Sequence, residues 1–268
     1  MSHNNSSTTK ESVTVHMFLV RHGETTANRD GILQGHCDYP LTDNGINQLT
    51  STGIHLKNVC FDMCITSDLR RAKHSAEIIV EQLHTKINSH HAKEMYNLRE
   101  IGFGVREALP KHFTVDEAKE DVAKARGITK ELVVDTAETS SDVSKRQMLM
   151  LEELGELIQG VIPSESTSHK SRNVNVLVVS HGGYIRAFLS NQCDVKHIPV
   201  AAGTSKDSIS SIGNGSISIA QCTYHLASVG NTCKMKLGNK CCSAMTEYVN
   251  MTPDTFPSLY DQYSTRFL

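Results

Sequence analysis

The chain has 268 residues, and 27 Lys and Arg against 29 Asp and Glu leave a formal charge of −2. At about 150 residues per domain, this length suits one large α/β domain able to bury a full core without disulfide or metal staples. The near-neutral balance excludes a nucleic-acid binder that works by bulk positive charge, though not a small cationic pocket.

Residues 1–12, MSHNNSSTTKES, read as a flexible polar tail without the apolar core of a secretory signal. No stretch approaches the roughly 18 apolar residues of a membrane span, so no membrane partner is expected. The eight cysteines are scattered, and free thiols in a reducing, cytoplasmic compartment are the expectation. Cys233, Cys241, Cys242 and His225 lie near one another but lack the paired spacing of zinc modules, so neither metal nor other cofactor is expected.

Val13–Val20 is β-branched and apolar and empties into Arg21-His22-Gly23, which predicts a buried strand feeding a loop. Leu41-Thr-Asp-Asn-Gly45 opens a helix with Thr42 or Asp43 as its cap, and Ile46, Leu49, Gly53 and Leu56 form the inward face. Cys60–Thr66 is a second strand. Ser67 is the expected N-cap of a helix whose stripe is Leu69, Ala72, Ala76, Ile79 and Leu83.

Residues 104–145 are charged and weakly patterned, with Ala118, Val122 and Ala125 hinting at one surface helix. Leu151, Leu154, Ile158 and Val161 mark another helix, followed by a Ser-rich loop over Pro163–Asn173. Asn173–Ser180 is a strong buried strand that again runs into His-Gly, and Gly183–Leu189 is expected to be helical. A late strand lies within Ile209–Leu226, and the pattern fades beyond Val229. Strands alternating with helices predict a three-layer α/β/α sandwich around a mostly parallel sheet. Residues 13–268 are expected to form a single domain, with 104–172 as an inserted cap.

Two strands ending in His-Gly deliver two histidines to the carboxyl edge of the sheet, where open α/β folds place their sites. The glycine after each histidine is expected to let backbone approach a ligand. Arg21 flanks the first histidine. Arg70 and Arg71 open the helix after Ser67, and arginine is suited to bidentate phosphate recognition. Both border the apolar stripe, so periodicity does not choose between them.

Leu19-Val-Arg-His-Gly-Glu-Thr25 with Asn28, Gln34-Gly35, Pro40-Leu41, Gly45, Ser67-Asp-Leu-Arg-Arg-Ala72, Leu98-Arg-Glu100 and Val178-Val-Ser-His-Gly182 together resemble the histidine phosphatase (phosphoglycerate mutase-like) superfamily over roughly residues 15–220. The resemblance implies a phosphatase acting on small phosphorylated metabolites through phosphohistidine. It implies that His22 is the nucleophile, Glu100 the general acid and base, and His181 a second catalytic histidine. Arg21, Arg71 and a protonated His181 would hold the phosphoryl oxygens, the motif selecting Arg71 over Arg70. Asn28, Gln34, Gly35, Gly182 and the backbone after His181 would complete the substrate pocket, and Asn214 resembles a late pocket asparagine. The arginines would supply the positive charge that a metal supplies elsewhere.

Within the superfamily the chain looks most like the TIGAR-type fructose-2,6-bisphosphatases. This implies hydrolysis of the 2-phosphate of fructose 2,6-bisphosphate and, through it, regulation of glycolysis. A phosphoglycerate mutase, a broad-specificity phosphatase and an inactive interaction module are the alternatives. The chain departs from the family pattern where Tyr-Gly becomes Phe103-Gly104, Glu-Gly becomes Glu107-Ala108, and the Gly-Gly-Glu-Ser/Thr stretch is reduced to Ala137-Glu-Thr139. These departures are expected to bear on substrate choice rather than on the phosphoryl centre.

Overall fold

Alternation along the first strand decides the architecture. In the computed structural model, which describes residues 12–161, 172–192, 212–229 and 232–237, β1 (Ser12–Arg21) sends Val13, Val15, Met17 and Leu19 to one face of the sheet. It sends Phe18 and Val20 to the other. β4 (Arg172–Ser180) does the same with Val174, Val176 and Val178 against Leu177 and Val179. Strands apolar on both faces must be covered on both, and helices supply the cover.

The sheet has six strands in the order β3-β2-β4-β1-β5-β6. β2 (Met63–Ser67), β3 (Ala92–Met95), β4 and β1 run parallel. β5 (Ile217–Val229) and β6 (Thr232–Leu237) add an antiparallel edge. On one face lie α2 (Asp43–Leu56) and α3 (Arg70–Glu81), after the single turn α1 (Thr26–Arg29). On the other lie α5 (Ser140–Val161) and α6 (Gly182–Gln192). α4 (Val115–Arg126) carries a capping box from Thr114 and Glu117 and stops at Gly127 in the left-handed region.

Several local expectations shift. Thr42 does cap α2, its hydroxyl accepting the Gly45 amide at 3.0 Å. Ser67 does not cap α3: it is the last residue of β2, and the helix begins two residues later than a Ser67 cap requires. The N-cap is Leu69, which has no side chain to offer, and Asp38 from a distant loop takes the Arg70 amide instead at 2.9 Å. Ile46 is 36% exposed rather than part of the inward face of α2. In α4 the buried pair is Ala118 and Ala123, and Ala125 is exposed, because the inward face is phased differently from the expected stripe. β3 has no counterpart in the sequence reading. Residues 1–11, most of the Ser-rich loop, Cys193, Cys241 and Cys242 lie outside the described residues. Among the described residues, Cys37, Cys60, Cys64 and Cys222 are free thiols, and no helix is long and apolar enough to cross a membrane.

Candidate active site

Parallel pairing of β1 with β4 places Arg21 opposite Ser180, so the residues that follow, His22 and His181, leave the sheet side by side. The His22 amide donates to the Ser180 carbonyl at 2.9 Å, and the two imidazole centroids lie 5.1 Å apart. His22 Nδ1 is 2.8 Å from the Gly23 carbonyl. A carbonyl only accepts, so Nδ1 carries the hydrogen and Nε2 keeps its lone pair.

Both imidazoles are buried and held well below the ordinary histidine pKa. Burial is the leading cause, and the Arg71 and Arg21 guanidinium charges add to it. This favours His181 neutral rather than protonated, chiefly through burial, and the arginines expected to share phosphate with it add to the effect.

Arg70 projects outward, whereas Arg71 is buried, which settles what periodicity leaves open. Arg71 Nη2 donates to the Gly35 carbonyl at 2.8 Å, and Nη1 donates to the Cys37 carbonyl at 2.7 Å and to Asp38 at 3.2 Å. Arg21 Nη1 donates to the Ile212 carbonyl. Arg21 Nε, Arg71 Nε and both ring nitrogens of His181 are buried without a hydrogen-bond partner. Buried polar nitrogens are rarely left unmet, and Arg21, Arg71 and His181 all bear on the His22 imidazole.

Gly23 and Gly182 owe their size to different neighbours. A Cβ on Gly182 would meet Arg21 Nε at 3.0 Å, inside the site. A Cβ on Gly23 would meet the Gly45 carbonyl at 2.6 Å, so this glycine serves packing on α2 rather than approach to a ligand.

Glu100 follows the short 3-10 turn Tyr96–Leu98. Its Oε1 accepts from the amides of Ile101 at 2.8 Å and Tyr184 at 2.9 Å, and its Oε2 from Gly183 at 3.1 Å. The amides of Gly183 and Tyr184 at the start of α6, in the stretch after His181 that the sequence reading gives to phosphate, are thus engaged by Glu100.

One cleft of about 380 Å³ is lined by Arg21, His22, Asn28, Gln34, Gly35, Arg71, Glu100 and Gly182. His181 packs against the His22 ring, the two planes inclined at 60°. Asn214 acts from outside: its amide donates to the His22 carbonyl at 2.9 Å and to Asn28 Oδ1 at 3.2 Å. Asn28 in turn closes a capping box with Thr25, whose hydroxyl lies 3.0 Å from Gln34 Oε1.

The cleft also contains residues that sequence reasoning missed. Lys111 and Arg186 are cationic, while Ile32, Leu33, Phe103 and Ile212 form apolar wall. Arg186 is one turn into α6, a spacing from His181 that could have flagged it. Lys111 sits in a loop with no pattern to reveal it. The reduced Ala137-Glu-Thr139 stretch does not line the cleft; Glu138 pairs with Arg146 at 2.8 Å instead.

The family model for the histidine phosphatase superfamily (branch 1) matches residues 17–225. A Danio rerio protein named fructose-2,6-bisphosphatase TIGAR B is 36% identical over 198 residues, covering 65% of this chain and 73% of its own. The uncharacterized phosphatase PhoE of Bacillus subtilis (strain 168) is 32% identical over 172 residues, covering 64% and 74%. Among solved structures, phosphoglycerate mutase from Bacillus anthracis str. Sterne aligns with a TM-score of 0.53 at 24% identity, covering 80% of this chain and 89% of that one. This last likeness is one of fold.

Proposed function

Since the chain belongs to the histidine phosphatase superfamily, we propose that it hydrolyses small phosphate esters through a phosphoryl-His22 intermediate. The observation that carries this reading is the set of unpartnered buried nitrogens, Arg21 Nε, Arg71 Nε and those of the His181 ring, beside a histidine whose Nδ1 is tied to the Gly23 carbonyl so that Nε2 keeps its lone pair.

In the first step the Nε2 lone pair attacks phosphorus and the P–O bond to the alcohol breaks, the leaving oxygen taking a proton from Glu100. Arg21, Arg71 and His181 hold the equatorial oxygens as charge spreads over them. In the second step water attacks phosphorus, Glu100 takes its proton, the P–N bond breaks and inorganic phosphate leaves. The incoming dianion competes with Glu100 for the α6 amides. A dianion held by Arg21 and Arg71 offsets the charges that disfavour a proton on His181. Asn28, Gln34, Gly35 and Gly182 shape the pocket, and Asn214 fixes the backbone of His22.

Lys111 and Arg186 supply cations beyond those one phosphoryl group needs. They support a substrate with a second anionic group, and the zebrafish relative's name makes fructose 2,6-bisphosphate the first choice. The apolar wall with Phe103 favours a second reading, a phosphatase of broad specificity for less polar esters. The scattered spacing of the eight cysteines supports a reducing compartment.

Phosphate release from fructose 2,6-bisphosphate, fructose 1,6-bisphosphate, 2,3-bisphosphoglycerate and 4-nitrophenyl phosphate ranks these readings, with the first substrate expected to lead. 2-Phosphoglycerate made from 3-phosphoglycerate without phosphate release would mark a mutase. Acid-labile phosphate trapped on the wild type and lost in His22→Ala is the expected signature. A His22→Ala variant that turns over as fast as wild type would end the proposal.

A further inference from the structure

The segment that presents Glu100 is neither helix nor sheet beyond the single turn Tyr96–Leu98, so its carbonyls cannot be satisfied by a ladder. Side chains satisfy them instead. Ser180 Oγ donates to the Leu98 carbonyl at 2.7 Å. Arg146, projecting from α5, serves three others: its Nη1 donates to the carbonyls of Asn97 and Arg99, both at 3.0 Å, and its Nη2 to that of Glu100 at 3.2 Å.

The same guanidinium is fixed on its far side by Glu138. Nε donates to Oε1 at 2.8 Å and Nη2 to Oε2 at 2.8 Å, a bidentate pair with Arg146 only 6% exposed. Glu138 reaches past Arg146 to the residues after Glu100. Its Oε2 accepts the Gly102 amide at 2.7 Å, and its own amide donates to the Gly102 carbonyl at 2.9 Å. Burial alone would raise the Glu138 carboxyl, but Arg146 and the Gly102 amide outweigh it and hold the carboxyl below its ordinary value. His36 Nε2 donates to the Glu100 carbonyl at 2.9 Å. Arg146 also lies over the Tyr184 ring, 5.2 Å from its centroid, and the Tyr184 amide holds the Glu100 carboxylate.

We propose that Arg146 and Glu138 form a clamp whose task is to position Glu100, gripping its backbone on both sides so that the carboxyl group meets the leaving oxygen. This rests on the assignment of Glu100 as the general acid. Neither residue lines the cleft or touches the reacting atoms, so both are positioning residues. The extent of the grip argues against a purely structural ion pair. A pair that served only the fold would not need to spend three of its donor contacts on carbonyls flanking one acid. Arg has the planar fork to bridge a carboxylate and several carbonyls together, and Lys does not.

A misplaced acid harms only reactions whose leaving group needs a proton. The test compares kcat/KM, which reports the step that expels the alcohol, for glycerol 2-phosphate and 4-nitrophenyl phosphate. The alkoxide of the first needs protonation, and nitrophenolate does not. In Glu100→Gln the loss on the alkyl ester is expected at about 100-fold or more, with little loss on the aryl ester. Arg146→Lys and Glu138→Gln should show the same selectivity at about 10- to 100-fold, the scale of a misplacement near 1 Å. Glu138→Gln keeps the side chain's shape but replaces one of its two acceptor oxygens with an NH2 donor that faces donors, so it loosens the grip on Arg146 and Gly102 and carries the test if Arg146→Lys fails to fold. Equal losses on both esters, or no loss, in the clamp variants beside a selective loss in Glu100→Gln overturn the clamp alone. No selectivity in Glu100→Gln itself overturns the acid assignment and the clamp with it.

Discussion

Ala108 holds a φ of +65°, the described non-glycine residue in the left-handed region. Its amide donates to the Leu33 carbonyl at 2.8 Å, which ties the loop to the segment carrying Gln34 and Gly35. An L side chain there costs about 1–2 kcal/mol, and glycine gives part of that back as unfolded-state entropy. Ala108→Gly should therefore stabilise the chain by about 0.5–1 kcal/mol in chemical denaturation, with turnover unchanged. The family resemblance implies glycine at this position, so the departure was legible in the sequence, but its cost was not, because φ is set by the partner loop. The two histidines make a second prediction. Their depressed pKa values mean that below about pH 6.5 the unfolded chain binds protons that the native state refuses. Above that pH both states are neutral and nothing is lost. Denaturation midpoints should fall from pH 7.5 to 5.5, and fall less in His181→Gln.

At the scale of elements, α2 meets the His22 loop at a distance only glycine allows. A Cβ on Gly45 would meet the Glu24 carbonyl at 2.2 Å and the Glu24 amide nitrogen at 2.8 Å. Both contacts are backbone, so neither yields by rotation. Gly45→Ala should cost about 1–3 kcal/mol as overpacking, read as a lower melting temperature. It should also lower kcat, because the displaced loop begins at His22. The elements themselves were legible where apolar periodicity was strong, as in β1, β4, α2 and α3. β3 escaped because its burial pattern places only Met95 inward, leaving no alternation to read. Ser67 misled because its residue type fits a cap. The acid that actually serves the first turn of α3 is Asp38, which no local window contains.

Across the whole molecule a net charge of −2 coexists with Arg21, Arg71, Lys111 and Arg186 on one cleft, opposed there by Glu100. Lys111 and Arg186 are exposed and so open to screening by salt. Raising salt from about 0.05 to 0.5 M should raise KM severalfold for a bisphosphate and less for a monophosphate, with kcat nearly flat. A KM for both that ignores salt would remove these two residues from substrate recognition. The sandwich and the meeting of His22 with His181 were legible from two apolar strands that each end in His-Gly. Lys111 and Arg186 were not, because only the folded chain shows which surface cations face the same cleft.

The hydrogen bond from Asn214 to the His22 carbonyl joins residues 192 positions apart, and that from Arg21 to the Ile212 carbonyl 191. Loops of that size close late, after local helices have formed. Catalytic competence is therefore a clock for the final stage of refolding. After dilution from denaturant, helical circular dichroism should return first and phosphatase turnover last, and a chain cut between β4 and β5 should regain activity only when its two pieces reassociate.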